Sequence, residues 1–216
     1  MPPSMADQRL YRGSSAEERR AQRREQFIEA AIHVYGAQGY RHATVKAVCE
    51  AAGLTERYFY ESFSNSEELL VASFQAVKDF LFGELEKASA GSSGEALERT
   101  RAMLQAYYEL LQGNPQSARV FLVEISGVSP AVDRALVAAL EAFGALITRT
   151  LTPREGGGAA DDPLLRAGVV GGVLHIALSW ISSGYTRPIH EVVGAALRLC
   201  LVLNPGAVKP GRGSGV

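Results

Sequence analysis

Cysteine is nearly absent, with only Cys49 and Cys200 in 216 residues. Two are too few for a disulfide framework, and no secretory pattern opens the chain, so a cytoplasmic location with reduced thiols is expected. Excess charge of either sign is missing too. The 22 Lys and Arg against 23 Asp and Glu leave a formal charge of -1. Binding of nucleic acid by bulk positive charge is excluded, and any DNA contact must come from a local surface. Long apolar runs are also scarce. The longest, Ala167 to Ile181, makes about 22 Å of helix against the roughly 30 Å of a bilayer core, and it contains His175. That length argues against a membrane partner. Clean alternation of apolar and polar residues is missing as well, which removes the ordinary signal for strands.

What remains is helical period, punctuated by Gly, Pro, Ser and Asn. Residues 1–15 carry two prolines and little pattern, and are expected to form a mobile arm. A first helix is predicted from Ala16 to Ala37, with Phe27, Ala30, Ala31, Val34 and Tyr35 on one stripe. Thr44 and Thr55 suit the caps of two short helices, and Ser64-Asn65-Ser66 before Glu67-Glu68 offers a capping box in either of two registers. A long helix to about Ala88 follows, then helices near 95–112, 116–126, 130–151, 163–183 and 188–203. Thr152 to Asp162 holds three consecutive glycines and reads as a loop, and the tail from Asn204 is expected to be disordered. Nine helices and no sheet give an all-α protein. A helix-turn-helix domain at 16–66 precedes an effector and dimerisation bundle at 67–203.

The strongest functional signal lies in the short helices. Thr44, Val48, Cys49, Ala52, Gly53, Leu54 and Thr55 have the spacing of a helix-turn-helix. The sharp turn wants a residue tolerant of positive φ at Gly53, small side chains at Cys49 and Ala52 let the helices cross closely, and Leu54 plugs the turn. The following helix can then lie in a major groove with its first residues facing base edges. Phe59 and Phe63 point back to the first helix as core, and Cys49 reads as a small packing residue rather than a redox sensor.

Phe27-Ile28, Ala30-Ala31, Gly39-Tyr40, Thr44, Ala52-Gly53-Leu54-Thr55, Phe59-Tyr60, Phe63, Glu67 and Leu69-Leu70 together resemble the N-terminal domain of the TetR family of bacterial transcriptional regulators. The likeness covers residues 20–70 and implies a homodimeric repressor of double-stranded operator DNA, released by a small molecule. By position in that family, Thr44 and Tyr60 hold phosphates, while Lys46, Arg57 and Tyr58 face bases or adjacent backbone. Val45, Thr55 and Glu56 complete the expected DNA surface. Two departures stand out. Ser66 replaces a phosphate-gripping Lys common in the family, and Thr55 replaces a common Ser. Glu56 has two readings: a cytosine acceptor, or a carboxylate favoured by the helix dipole. Residues 1–60 hold nine basic and seven acidic side chains. Arg9, Arg12, Arg19, Arg20, Arg23 and Arg24 cluster before the motif, either as an arm reaching phosphates or as a solvated helix start interleaved with Glu17, Glu18 and Glu25.

In the second domain Met103, Tyr107, Tyr108, Phe121, Glu124, Phe143, His175 and Trp180 are candidate ligand contacts. Aromatics at helical spacing also make ordinary core. Glu124 and His175 each sit inside an apolar run, where a polar group anchors either a ligand or a neighbouring helix. Gly168, Gly171, Gly172 and Ala177, with Val192, Val193, Ala196, Leu197 and Cys200, are expected to form a dimer face, and the resemblance implies a four-helix bundle there. A helical-bundle enzyme or carrier is the main alternative, and an activator or nucleoid-associated binder would keep the same fold. His33, His42, His175 and His190 have no metal-ligand spacing, and Gly156-Gly157-Gly158 lacks the Lys of a phosphate loop. No cofactor, no metal and no catalytic residue is expected.

Overall fold

Start and stop signals written in the sequence set the helices of the computed structural model, which describes residues 15–92, 94–152 and 162–203. The expected arm, glycine loop and C-terminal tail lie essentially outside these residues. Ser15 and Glu18 close a capping box at the start of α1 (Ala16–Gln38). The Thr44 hydroxyl accepts from the Ala47 amide and opens α2 (Val45–Ala52). Thr55 stands at the N-cap position of α3 (Glu56–Ser62), but its side chain makes no capping bond. Asn65 caps α4 (Ser66–Gly91) through the Glu68 amide, while the Glu68 carboxylate accepts from the Ser64 amide at 2.8 Å. Helix α5 (Ala96–Gly113) ends at Asn114, which caps α6 (Pro115–Arg119). Ser129-Pro130 opens α7 (Pro130–Leu151), and Asp162-Pro163 opens α8 (Pro163–Ser182). Helix α9 (Ile189–Cys200) finishes in a 3-10 turn to Leu203. The described residues contain no strand.

The sixth helix departs from expectation. One helix is predicted over 116–126, but after Arg119 the backbone widens into a π turn, Val120–Glu124. A period of 3.6 cannot reveal such a widening, because the side chains of Val120, Phe121 and Ile125 stay apolar and buried. The extra residue per turn re-aims Glu124, with consequences given below.

Helices α1 to α3 form a small unit on the first half of α4. Phe27, Phe59 and Phe63 are its centre, with Phe27 meeting the other two rings edge-on at 5.7 and 6.3 Å. The bundle of α4, α5, α7, α8 and α9 has its own aromatic layer. Arg99 is buried there, and its guanidinium donates to the carbonyls of Gly94, Thr150 and Thr152, the last two at the open C-terminus of α7.

Two further expectations change. Val192, Val193, Ala196, Leu197 and Cys200 are all buried within this chain, so the apolar stripe of α9 is spent on its own bundle rather than on a second copy. Helix α8 is twenty residues long, about 30 Å, with a mean hydropathy of 1.7 over its apolar window, so its length does not rule out crossing a membrane. Only 28% of that window is buried, leaving an apolar outer face.

Burial also pushes the Cys200 thiol from 9.0 up to about 12. The unfolded chain therefore loses its thiol proton first as the pH rises. Stability held below pH 9 is expected to decline through pH 12, and Cys200 should resist alkylation until the chain unfolds, as timed labelling with iodoacetamide would show.

Candidate nucleic-acid interface and bundle core

The turn between α2 and α3 is closed by Gly53, whose φ of 65° and ψ of 28° are left-handed. A side chain there would meet no neighbour, so glycine is required by backbone conformation alone. The Leu54 amide donates back to the Cys49 carbonyl at 3.0 Å, and Leu54 packs on the core. Val48, Cys49 and Phe59 are buried on the inner faces of the two helices. The outer faces are thereby fixed: Thr44, Lys46, Thr55, Glu56, Arg57, Tyr58 and Tyr60 are exposed, and Val45 is half-buried beside them. Of the eight residues named for DNA, none is buried, and Tyr58 also lies under Arg23 of α1. Tyr60 is 60% exposed, an unusual state for a large ring on a packed helix.

Both cations on this surface are already paired. Lys46 lies 3.9 Å from Glu50, and the Arg57 Nε donates to Glu61 at 3.0 Å, each one helical turn on. Exposed pairs of this kind contribute only about 0.2–1 kcal/mol, so phosphate or base can displace the carboxylates at little cost. The arginine cluster is less free than its sequence suggests. Arg23 stacks over Tyr58 at 4.5 Å and faces Glu61, and Arg24 donates to the Ser62 carbonyl while covering the Phe63 ring. Both tie α1 to α3 instead of extending outward. Arg9 and Arg12 lie outside the described residues. Ser66, which replaces the phosphate-gripping Lys, hydrogen-bonds the Tyr40 hydroxyl at 3.2 Å.

Within the bundle, Met103, Tyr107, Tyr108, Phe143 and Trp180 converge and are all buried. Tyr107 meets Tyr108 at 5.0 Å and Phe143 at 5.3 Å, and Tyr108 meets Trp180 edge-on at 5.8 Å. Tyr108 donates to the Val173 carbonyl, and the Trp180 indole to the Arg187 carbonyl. The Tyr107 hydroxyl is wholly buried with no hydrogen-bond partner among the described residues, and burial first, then Tyr108, favours its protonated form. Phe121 lies away from this group, stacked on Phe74 at 5.5 Å.

Glu124 and His175 are placed otherwise than a bundle pocket requires. The π turn directs the Glu124 carboxylate out of the bundle, where it accepts from the Tyr40 amide at 2.7 Å and pairs with Arg119 at 2.7 Å. His175 is exposed, in a groove between α8 and α9 with His190 and Arg198, because α8 is apolar on its outer face as well as its inner one. Neither residue lines the aromatic core.

Sequence reasoning missed the junction to which Glu124 belongs. Gly36 of α1 lies directly on the backbone of Gln116, and His33 Nδ1 shares a 3.0 Å hydrogen bond with the Gln116 amide oxygen. Ser129 donates to Glu67 at 2.9 Å. The available signal was Gly36 itself, since a glycine inside a helical pattern asks for a packing reason.

A surface-exposed recognition helix on a three-helix unit, carried by a separate bundle, defines a helix-turn-helix protein. Residues 27–72 match the model of the bacterial regulatory proteins, tetR family, over the helix-turn-helix and the start of α4. The chain is 29% identical over 132 residues to the HTH-type transcriptional regulator TcmR of Streptomyces glaucescens, a match covering 61% of this chain. The matched part spans about half, 54%, of that relative. It is 25% identical over 172 residues to the HTH-type transcriptional activator FasR of Mycolicibacterium smegmatis, covering 80% of this chain and 77% of FasR. The solved transcriptional regulator FadR from Bacillus subtilis, in complex with stearoyl-CoA, superposes with a TM-score of 0.67 at 19% identity, over 86% of this chain and 99% of that one. At that identity the likeness speaks to fold.

Proposed function

We propose that the chain is a ligand-responsive transcriptional regulator, a homodimeric repressor that leaves a palindromic operator when a small molecule binds. The observation that carries this reading is the exposure of Thr44, Lys46, Thr55, Glu56, Arg57, Tyr58 and Tyr60 on the helix-turn-helix, around the left-handed turn at Gly53. Residues 16–66 serve as the DNA-binding domain and 67–203 as the effector and dimerisation domain. The site is a cytoplasmic one and performs no catalysis. The named functions of the relatives support regulation, and FasR, named an activator, makes transcription from the bound promoter the readout of sign.

Arg57 and Tyr60 separate two kinds of contact. Arg57→Ala should cost about 1–3 kcal/mol of operator binding and relax preference at one base pair. Tyr60→Phe should weaken specific and random DNA alike, because a phosphate contact carries no sequence. Competition anisotropy with operator and scrambled duplexes measures both, and equal behaviour of the two variants refutes the assignment.

A second copy covers the outer face of α8 in this reading. Gly168 and Gly171 face open space there, and Leu164 is 84% exposed. Gly172 is different: a side chain on it would strike Leu199, so it serves the crossing of α8 and α9 within one chain. The dimer brings two recognition helices to major grooves about one helical turn apart, or a multiple of it. Sedimentation of a monomer that footprints one unsymmetrical half-site would overturn this, and partition of the chain into vesicles would assign the face to a membrane.

The effector enters the aromatic core. A ligand that opens it and offers an acceptor to the Tyr107 hydroxyl gains a hydrogen bond that no described residue supplies. Trp180, the only tryptophan, reports that opening because it packs on Tyr108. The test is a Trp180 titration of a candidate ligand with and without saturating operator. Linkage requires apparent affinity to fall on operator by the coupling factor, about 5–150-fold for the usual 1–3 kcal/mol. A ligand that binds equally in both titrations is not the inducer.

A further inference from the structure

Helices α1, α4, α5 and α6 do not close fully over one another where the three-helix unit meets the bundle. They leave an open groove of about 540 Å³, within the roughly 300–1,000 Å³ of ligand clefts. Its floor is apolar, built from Ile32 of α1, Val77, Phe80 and Leu81 of α4, and Leu110 and Leu111 of α5. Phe80 is 62% exposed, so its ring presents a free surface. The rim is not neutral. Glu29 is the one charged side chain lining the groove, and its carboxylate has no ion pair or hydrogen bond among the described residues. No Lys or Arg lines the groove, and His33 is engaged with Gln116.

We propose that this groove binds an amphiphilic organic cation, with the apolar body on the Phe80 and Leu110 floor and an ammonium head against Glu29. The choice of charge follows from the rim. A carboxylate beside a low-dielectric surface attracts a cation and repels an anionic amphiphile of the same length. An aromatic face adds to the attraction for a quaternary ammonium. A neutral chain gains the apolar contact alone. The site is separate from the aromatic core around Tyr107: its walls include α1 and exclude α7, α8 and α9. Because Glu29 belongs to α1 and the floor largely to α4 and α5, a bound ligand touches the three-helix unit and the bundle together. Its affinity therefore depends on how the two are set against each other.

The test uses the full chain and three probes: decyltrimethylammonium below its micellar threshold, decanoate and decan-1-ol, each titrated by calorimetry. The cation should bind about five- to tenfold more tightly than decanoate, the scale of a solvent-screened charge preference. Glu29→Gln should bring the two within about twofold, since only the Coulombic part is removed. Phe80→Ser should weaken every probe. Both positions are exposed, so the variants should keep the parent's melting temperature, which a thermal scan verifies. Tyr107→Phe should leave all three affinities unchanged. Equal affinity for cation and anion, a preference that survives Glu29→Gln, or no binding of the cation overturns the proposal. Binding that Tyr107→Phe weakens and Phe80→Ser spares also overturns it, and assigns the probe to the aromatic core of the regulatory reading instead.

Discussion

Phe27→Ala is expected to lower the stability of the three-helix unit by about 3–5 kcal/mol, the usual cost of emptying a phenylalanine site in a core. The position leaves no route for relaxation. Phe27 is fully buried between the rings of Phe59, in the middle of α3, and Phe63, which directly follows it. Removing it opens the space beneath the recognition helix, so α3 loses the surface that fixes its outward face. Whole domains are stable by only about 5–15 kcal/mol, and a unit of one long and two short helices sits near the low end. Operator binding should therefore be lost at temperatures where the bundle persists. Urea titration read by operator anisotropy and by Trp180 emission gives the two midpoints, since Trp180 belongs to α8. Separate midpoints in the variant are the expected result. A common, shifted midpoint would mean that the junction makes one cooperative body of the two.

Much of this arrangement is legible in the residues, and the illegible part has physical reasons. Thr44, Gly53 and Phe59 announce the helix-turn-helix because each answers a local demand: an orphan amide, a left-handed turn, a stripe facing α1. The stripe of Val192, Val193, Ala196, Leu197 and Cys200 is equally plain, but amphipathicity reports that a face is covered and not what covers it. Here the cover is the chain's own bundle. His175 was ambiguous because apolar residues surround α8, so period gave no direction. Glu124 takes the second of its two readings, bonding the Tyr40 amide of a neighbouring segment, and the π turn that aims it there shifts the register of a helix without changing its composition. The groove beside Glu29 joins residues of α1 to residues of α4, α5 and α6. No local pattern encodes that meeting.

The same long-range meeting governs the second large effect, at Gly36. Within an isolated helix, replacing glycine by alanine stabilises by roughly 0.5–1 kcal/mol, because alanine loses less backbone entropy. Gly83 of α4 meets that ordinary condition: a side chain there would touch nothing within 4 Å. Gly83→Ala should accordingly raise stability by about 0.5–1 kcal/mol. Gly36 reverses the sign. A Cβ on it would lie 2.6 Å from the Cα and carbonyl oxygen of Gln116, atoms of backbone that no rotamer change can move. Helix α1 must withdraw from α6, and overpacking of this kind costs about 1–3 kcal/mol. The withdrawal also stretches the His33–Gln116 bond at 3.0 Å and the Tyr40–Glu124 bond at 2.7 Å, which stand on either side of the contact. Gly36→Ala should thus destabilise the chain and weaken any response of operator binding to an effector in the bundle, while leaving the α3 surface intact. The paired variants make the comparison clean, since the chemical change is identical and only the neighbour differs. Denaturant midpoints of opposite sign are expected. If Gly36→Ala stabilises as Gly83→Ala does, the contact between α1 and α6 yields freely in solution, and the junction cannot transmit a signal by rigid packing.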